Sequence, residues 1–257
     1  MFKISATGAL TTLHAFCRYD FSPEAGLIQA SDGNLYGTTS NDSVAFMGPA
    51  RVGGSVFKVS PSGTLTVLHS FGFSSGDGDI PQSVLIQAGD GNFYGTTRFG
   101  GTKGRGTVYK MSPDGLLTVL YSFCSQSACS DGQYPDAGLV QGADGNLYGT
   151  TNQGGYGGWV ADGAGTIFKI TLDGRLTTLY KFCSVSNCPD GSEPLAGLTQ
   201  GSDGNLYGMA NLGGANQVGT VFKLTPAGVL TTLHSFLANL DGAHPVAALI
   251  QAKDGNF

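Results

Sequence analysis

One phrase that recurs along the chain constrains its fold more than any other feature of the sequence. The pattern Leu-Ile-Gln-Ala-x-Asp-Gly-Asn-Leu/Phe-Tyr-Gly-Thr-Thr, lightly altered from copy to copy, begins at five positions: Leu27, Leu85, Leu139, Leu198 and Leu249. The copies are 58, 54, 59 and 51 residues apart, and the last copy stops at Phe257. Self-similarity at this period is typical of a solenoid, a propeller or an array of repeats. A residue present in every copy is therefore expected to be scaffold, whereas one found in a single copy is a candidate for function.

Each repeat is predicted to contain four short antiparallel strands. In the copy that begins at Leu85, the strands are expected at 85–88, 93–97, 107–112 and 117–123, and the fourth alternates apolar and polar residues. The Asp-Gly-Asn at 90–92 and the Pro-Asp-Gly at 113–115 have the chemistry of tight turns. Four strands per repeat predict a β-propeller blade. The alternative is an open β-solenoid, whose coils are generally shorter.

The sequence predicts an all-β, five-bladed propeller that occupies residues 1–257 as one domain. Complete repeats begin near 27, 85, 139 and 198, and a split repeat combines 249–257 with 1–26. The fifth blade would thus be a composite of the N- and C-terminal halves. These halves could pair within one molecule, or with a neighbouring molecule to form a head-to-tail filament. The composite lacks a Tyr-Gly-Thr-Thr strand, so we expect a fragment or a partner that supplies it.

Charge and composition exclude several classes of protein. Charged residues make up 12% of the chain, against about a quarter in typical domains, and the formal net charge is −5. No run of Lys and Arg marks a nucleic-acid surface, and no apolar stretch is long enough to span a membrane. The N-terminus lacks the apolar core of a signal peptide, so either a signal has been removed or the chain is a segment of a longer protein.

Four of the five cysteines form two pairs at the same point of successive repeats. We predict loop disulfides between Cys124 and Cys129 and between Cys183 and Cys188, which implies an oxidising compartment. Metal ligation is the alternative, but neither pair has a nearby His, and Cys-x4-Cys is not a usual zinc spacing. Cys17 occupies the corresponding point of the first repeat without a partner five residues on, and its state is open.

The connections between strands divide into two kinds. The turns between first and second strands, and between third and fourth, are nearly constant and lie at one edge of the blades. The second-to-third loops and the blade-to-blade connections lie at the other edge, which we call the variable face because all the variation in length and sequence is there. Functional residues concentrate on loops held by a rigid scaffold, so any site is expected on the variable face.

Candidate ligand-binding residues lie in three loops of the variable face. Trp159 is the only tryptophan, and with Tyr156 and Asp162 it could stack on a sugar ring; alternatively, it folds back over its own loop. The remaining candidates form a locally basic region around two adjacent blades and could meet an acidic glycan, or could simply be solvated: Arg51, Arg98, Phe99, Lys103 and Arg105.

Repeated carboxylates and histidines favour structural roles. The blade-to-blade connections share Asp-Gly-x-x-Pro, beginning at Asp77, Asp131, Asp190 and Asp241. A ring of these carboxylates could hold Ca²⁺, but their recurrence favours a turn, and we predict no metal site or cofactor. The Asp-Gly-Asn turns lack the spacing of a calcium loop. Three histidines alternate with tyrosines at one strand position, which is typical of packing, and no familiar catalytic motif is present.

The recurring phrases resemble those of a known family. Residues 219–226, Gly-Thr-Val-Phe-Lys-Leu-Thr-Pro, and 230–236, Leu-Thr-Thr-Leu-His-Ser-Phe, are especially similar to the GloVer tandem repeat of choice-of-anchor bacterial proteins. The resemblance covers essentially the whole chain. It implies an exported protein, often attached to the cell surface by a C-terminal anchor, although no anchor is visible in this sequence. The resemblance brings no catalytic residues with it.

Three functions follow from these observations. The first is an extracellular or cell-surface binding module that recognises a glycan or surface polymer through the variable face. The second is a structural surface protein that forms filaments through its split terminal blade. The third is a polysaccharide lyase or hydrolase, which rests only on what propellers can host. Catalytic residues cannot be named from the sequence.

Overall fold

A computed structural model describes residues 1–16, 22–40, 52–72, 76–155 and 162–257. In these ranges the chain is all-β apart from one short 3-10 turn, Ser127–Cys129. Two N-terminal strands, β1 (Phe2–Ile4) and β2 (Leu10–Thr12), form a separate antiparallel hairpin. No helix in the described part of the chain has the length and apolar character needed to cross a membrane.

Four sheets of four antiparallel strands follow the hairpin, one per complete repeat. We call them blades 1 to 4. Blades 1 and 2 contain β3 (Ile28–Gln29), β4 (Leu35–Thr39), β5 (Val52–Val59) and β6 (Leu65–Gly72), then β7 (Ile86–Gln87), β8 (Phe93–Thr97), β9 (Thr107–Met111) and β10 (Leu117–Ser122). Blades 3 and 4 contain β11 (Val140–Gln141), β12 (Leu147–Thr151), β13 (Thr166–Ile170) and β14 (Leu176–Lys181), then β15 (Thr199–Gln200), β16 (Leu206–Ala210), β17 (Thr220–Leu224) and β18 (Leu230–Ser235).

The strand order within each blade confirms the sequence-based assignment. Each first strand pairs only with the second, the second with the third and the third with the fourth. The first strands are only two residues long, shorter than the predicted four. Every third-to-fourth pairing contains a register shift at the same point. Such bulges increase the local twist of a strand.

The core lies between blades, where aromatic rings from adjacent sheets meet. Phe123 of blade 2 contacts Phe168 of blade 3 edge-to-face with ring centroids 5.2 Å apart, and both side chains are fully buried. Phe182 and Phe222 repeat the arrangement between blades 3 and 4 at 5.3 Å. The ring of Phe168 fits because Gly149 lies on the paired strand, where a Cβ would come within 2.6 Å of it. The glycine of Tyr-Gly-Thr-Thr is therefore required by close packing.

A glutamine at the end of each first strand from blade 2 onward links its blade to the preceding one. Gln141 Oε1 accepts a hydrogen bond from the backbone N–H of Gly89 in blade 2, at 2.9 Å, while its Nε2 donates to the carbonyl of Gly145 in its own turn. Equivalent pairs of bonds are made by Gln87, Gln200 and Gln251. The recurrent Gln is thus a connector between blades.

The Asp-Gly-Asn turns are held by their own side chains. Asp144 accepts hydrogen bonds from the backbone and side-chain nitrogens of Asn146 and from the hydroxyl of Tyr148 at 2.8 Å. Asp32, Asp90 and Asp203 make the same three bonds. With its oxygens occupied in this way, the turn carboxylate has a structural role.

The two terminal segments each pack on a neighbouring blade. Phe16 contacts Phe57 of blade 1 at 5.7 Å, and Phe257 contacts Tyr207 of blade 4 at 4.1 Å between ring centroids. The predicted first strand at 249–252 forms its turn, with Ala252 N–H donating to Asn256, but no strand ladder. In the four blades, a first strand pairs only with the second strand. Phe257 is the single residue of this sequence that corresponds to the second strand of the last repeat. Closure into a five-bladed ring and the composite blade stay predictions.

Blade 2 carries a tyrosine where the other blades have phenylalanine, and its hydroxyl is buried. Tyr109 is fully buried, and within the described residues its hydroxyl has no hydrogen-bond partner. A buried, unpaired hydroxyl costs about 1–3 kcal/mol. Tyr109→Phe is therefore expected to raise the free energy of unfolding by about 1 kcal/mol, measured by urea denaturation. The reverse change at the equivalent position of blade 3, Phe168→Tyr, should lower it. A loss of stability in Tyr109→Phe would contradict this assignment.

Candidate functional site

The blade-to-blade connections and the second-to-third loops meet at the variable face. The residues that precede each first strand form an isolated bridge with those that follow the second strand of the same blade: Asp79 with Phe99, Gln133 with Gln153, and Ser192 with Leu212. The loops of this face are thus tied to the sheets at both ends.

The Asp of Asp-Gly-x-x-Pro binds the His or Tyr of the preceding blade's fourth strand. The hydroxyl of Tyr121 donates to Asp131 at 2.8 Å, and His69 Nε2 lies 2.7 Å from Asp77. The pairs Tyr180–Asp190 and His234–Asp241 repeat the contact. Burial, followed by the hydrogen bond to Asp131, raises the pKa of Tyr121 to about 12. These carboxylates bind outer-strand side chains, as a structural role requires.

The described ranges contain no group of three His, Cys, Asp or Glu side chains placed to hold a metal ion.

The residue before the proline in this motif has an unusual backbone conformation. Tyr134 has φ of 57°, in the left-handed region that non-glycine residues rarely adopt. Its N–H donates to the carbonyl of Arg105 in blade 2, and its own carbonyl accepts from the N–H of Asn152 in blade 3, both at 2.9 Å. The backbone of Tyr134 therefore fastens two blades together and fixes where its side chain begins.

Three of the predicted site residues, Arg98, Phe99 and Arg105, contact Tyr134 directly or through one another. Its ring contacts that of Phe99 at 5.3 Å in an edge-to-face arrangement. The guanidinium of Arg98 lies over Phe99 at 5.3 Å, and that of Arg105 lies over Tyr134 at 5.1 Å. Cation–π contacts of this kind are favourable and hold the cation over the ring. An aromatic pair flanked by two guanidinium groups thus lies at the junction of blades 2 and 3.

A buried carboxylate completes this group. Asp136 Oδ1 lies 3.3 Å from Arg98 Nε, and Asp136 Oδ2 accepts a hydrogen bond from Asn152 Nδ2 at 3.0 Å. The side chain of Asp136 is 12% exposed and that of Arg98 38%. Burial raises the pKa of Asp136, although the charge of Arg98 and the bond from Asn152 act in the opposite direction. We call the whole set the junction cluster: Arg98, Phe99, Arg105, Tyr134, Asp136 and Asn152.

Several polar atoms in and beside the junction cluster are buried and unpaired. Within the described residues, Arg98 Nε, Asp136 Oδ1 and Asn152 Oδ1 have no hydrogen-bond partner, because the Arg98–Asp136 contact has the distance of an ion pair but not hydrogen-bond geometry. Gln133 Oε1 is also buried and unpaired. Buried polar atoms are ordinarily satisfied, so each such atom requires an explanation. Because these atoms expose almost no surface, a polar ligand would have to open the cluster to pair with them.

The structure brings three of the predicted candidates together and leaves the side chains of two others exposed. Arg98, Phe99 and Arg105 belong to the junction cluster, whereas the side chain of Lys103 is exposed in the same loop. Asp162 is exposed. Its backbone carbonyl accepts hydrogen bonds from the N–H of Gly154 and from Nε2 of Gln133. The other three candidates, Arg51, Tyr156 and Trp159, lie outside the described residues and stay predictions.

Three members of the junction cluster, Tyr134, Asp136 and Asn152, were not among the candidates named from the sequence. Tyr134 and Asp136 lie in and directly after Asp-Gly-x-x-Pro, whose recurrence favoured a purely structural role. A signal was nevertheless present, because the residue before the proline differs in every copy: Ile80, Tyr134, Glu193 and His244.

Both predicted disulfides are present, Cys124–Cys129 and Cys183–Cys188. The carbonyl of Cys129 accepts hydrogen bonds from Gly132 and from Gly155 in the second-to-third loop of blade 3. The disulfide loop therefore supports the neighbouring loop of the variable face. Cys17 lies outside the described residues.

Two small cavities lie elsewhere, between the N-terminal hairpin and blade 1. Their volumes are about 150 and 190 Å³, and both are lined by Phe16 and Phe57. Ligand pockets usually measure about 300–1,000 Å³, so these cavities are packing gaps rather than candidate sites.

Comparison with known proteins places the chain in a family and supports the fold. A family model described as the Gloeobacter/Verrucomicrobia repeat matches residues 1–187 and, overlapping them, 43–257. This confirms the resemblance found in the sequence. No curated protein sequence matches the chain significantly.

Solved structures resemble the chain at low sequence identity. A candidate gluconolactonase superposes with a TM-score of 0.51 at 15% identity. The match covers 82% of this chain and 63% of that protein's length. A protein of unknown function from Dyadobacter fermentans gives 0.51 at 11% identity, with 93% and 74% of the two chains covered. An endo-arabinase from Bacteroides thetaiotaomicron gives 0.48 at 17% identity, with 93% and 97% covered. The first two show the fold alone, a β-propeller-like array of blades.

The buried carboxylate of the junction cluster should make stability depend on pH. The folded-state pKa of Asp136 is raised, so its ionisation opposes folding; this cost is absent below the unfolded pKa and complete above the folded one. Asp136→Asn should therefore unfold at higher urea concentration than the wild type at neutral pH, and the difference should shrink in acid. A less stable variant at neutral pH would show that the ion pair with Arg98 outweighs the cost of burial.

Proposed function

The chain belongs to the Gloeobacter/Verrucomicrobia repeat family, and on that premise we propose that it is an extracellular β-propeller module that binds acidic glycans through its variable face. The junction cluster is the binding site. Its two guanidinium groups recognise a carboxylate of the ligand, and its aromatic pair contacts the face of a sugar ring.

The observation that carries the proposal is that Arg98 lies over Phe99 and Arg105 over Tyr134, while the two rings contact each other. Each guanidinium is stacked near a ring, at 5.3 and 5.1 Å, so its direction is set before a ligand arrives. Arginine presents a planar fork of donors that matches a carboxylate in two parallel hydrogen bonds. Pre-organisation of this kind reduces the entropy lost on binding.

The charges favour an anionic ligand. Asp136 neutralises at most one of the two guanidinium groups, and exposed Lys103 in the same loop adds a further positive charge. The chain as a whole has a net charge of −5. Because the protein as a whole is acidic, an anionic ligand is attracted only near this local group of positive charges.

Sugar recognition is supported by the combination of rings and polar atoms. Tyrosine presents an apolar body with a polar end, and the unpaired oxygens of Asp136 and Asn152 could accept hydrogen bonds from sugar hydroxyls. An extracellular location is supported by the two disulfides, which persist in oxidising compartments.

A charge-matched pair of variants tests the proposal. Arg105→Ala removes a cluster cation, whereas Arg175→Ala removes an exposed cation in the turn between β13 and β14, on the opposite face. Arg105→Ala should weaken binding to acidic glycans on an array by about tenfold, about 1.4 kcal/mol, and Arg175→Ala should not. Trp159→Ala on the same array measures any part played by the neighbouring loop.

If the wild type binds no acidic glycan, or if Arg105→Ala and Arg175→Ala bind equally well, the junction cluster is not the site.

A second candidate function, a polysaccharide hydrolase, is favoured by Asp136. A carboxyl group with a raised pKa, buried beside unpaired polar atoms, is suited to donate a proton to a glycosidic oxygen. In that case turnover would decline as the pH rises through the raised pKa, because the proton donor would be lost. A binding module would release no new reducing ends at any pH.

Incubation of polygalacturonate with the wild type and with Asp136→Asn separates the two functions. A hydrolase should release reducing ends in the wild type and lose nearly all of this activity in Asp136→Asn, while binding persists. If the wild type binds the polymer without cleaving it, the hydrolase candidate is wrong.

A further inference from the structure

We infer that the residue before each Asp-Gly-x-x-Pro proline determines ligand specificity, and that Ile80, Tyr134, Glu193 and His244 form a row of contact positions for successive units of one extended glycan. This inference rests on the function proposed above. It adds three positions to Tyr134, one at each of the other blade junctions, and it predicts a polymer in place of a single sugar.

The other fixed residues of this motif are committed to the scaffold. Asp131 binds the Tyr121 hydroxyl. A Cβ on Gly132 would lie 2.4 Å from Thr151 Oγ1, and Pro135 Cδ would lie 2.5 Å from a Cβ on Gly106. A Cβ on Gly78 or Gly191 would likewise come within 2.6 Å of a neighbouring atom, whereas Gly242 has open space around it; the close approach of the proline recurs at all four junctions. The motif is therefore constant because its Asp, Gly and Pro are each required by packing or hydrogen bonding.

The backbone of the residue before the proline is held in one conformation at all four junctions. Its φ is 55° at Ile80, 57° at Tyr134, 54° at Glu193 and 55° at His244. In each case its N–H donates to the preceding blade, to the carbonyls of Gly53, Arg105, Ala164 and Val218 respectively. At the first three junctions its carbonyl also accepts an N–H from the following blade: Arg98, Asn152 and Asn211. Only the side chain is free to differ.

Glycine would suit this backbone best, yet none of the four positions has it. A positive φ is unfavourable for any residue with a Cβ, and it is least tolerated by β-branched residues such as Ile80. Strained conformations of this kind persist where the surrounding structure enforces them, and they cluster at functional sites. The backbone conformation alone therefore does not account for the side chains at these four positions.

The four side chains differ in chemistry and remain accessible. Ile80, Tyr134 and Glu193 are half-buried, and His244 is exposed. The Nδ1 of His244 lies 3.2 Å from the carbonyl of Asn211, which leaves its Nε2 for a ligand. Glu193 is the neighbour of the cationic junction cluster along the row. A carboxylate on the ligand is attracted at Tyr134 with its two arginines and repelled at Glu193, which instead accepts hydrogen bonds from hydroxyl or amide groups. The row therefore fits a polymer in which acidic sugars alternate with neutral ones.

Glycine substitutions test this inference because they delete the side chain and relieve the backbone. Glu193→Gly and His244→Gly are the test variants. Ala128→Gly, an exposed residue with φ of 54° in a disulfide loop, is the matched control. The probes are hyaluronan oligosaccharides, which alternate uronate with N-acetylhexosamine, and oligogalacturonates, in which every unit is acidic, each from the disaccharide to the decasaccharide. Calorimetry gives the Kd, and a thermal scan gives the Tm.

We expect the wild type to bind hyaluronan oligosaccharides more tightly as they lengthen. Glu193→Gly and His244→Gly should weaken binding of the longest by about tenfold, the scale of one lost polar contact, and leave the disaccharide unaffected. Glu193→Gly should also improve binding of long oligogalacturonates. The Tm of each variant, like that of Ala128→Gly, should equal or exceed the wild-type value.

The results distinguish a failure of this inference from a failure of the proposed function. If the wild type binds acidic oligosaccharides and Arg105→Ala weakens this binding, but both glycine variants match the wild type at every length, the inference about the row is wrong and the proposed function of the junction cluster stands. If the Tm of both variants falls well below that of Ala128→Gly, the side chains are scaffold and the inference is overturned. If the wild type binds neither series, both proposals fail.

Discussion

The structure depends on a close contact between successive blades, made possible by a glycine on each second strand. The aromatic ring of the third strand covers this glycine and meets a phenylalanine of the preceding blade, as Phe168 covers Gly149 and meets Phe123. Any larger residue at Gly149 would displace the ring by more than a packed core tolerates. A blade therefore buries its core only against its neighbours, as expected of repeat proteins whose units are not stable alone.

The same contact explains why variation is confined to one face. At the opposite face, the Asp-Gly-Asn turns are held by Asp, Asn and Tyr side chains and connected by Gln141 and its equivalents. A change in turn length there would break bonds in two blades. At the variable face, the scaffold bonds are made by backbone atoms and by the Asp, Gly and Pro of one motif. Side chains between them can change without loss of a connecting bond.

The sequence was sufficient to predict the blades but only part of the candidate site. Strand order, turns and both disulfides follow from local patterns that repeat, and local patterns specify local pairing. The junction cluster does not, because Arg98 and Asp136 lie in different blades and meet through interblade packing that periodicity does not reveal. Tyr134 was overlooked for a different reason. It lies within a recurrent motif, and recurrence of the motif obscured the variation at one of its positions.

The junction cluster shows how a scaffold of this kind accommodates unfavourable features at a site. Tyr134 has a strained φ, and Asp136 is a buried carboxylate with unpaired oxygen. The φ of Tyr134 is enforced by its backbone bonds to Arg105 and Asn152 and by the packing of Pro135. The Asp136 carboxylate is held by the side chains of Arg98 and Asn152. Because adjacent blades impose the geometry, the cost is spread over bonds that recur at every junction. Each junction can then differ in charge and shape while the array stays intact.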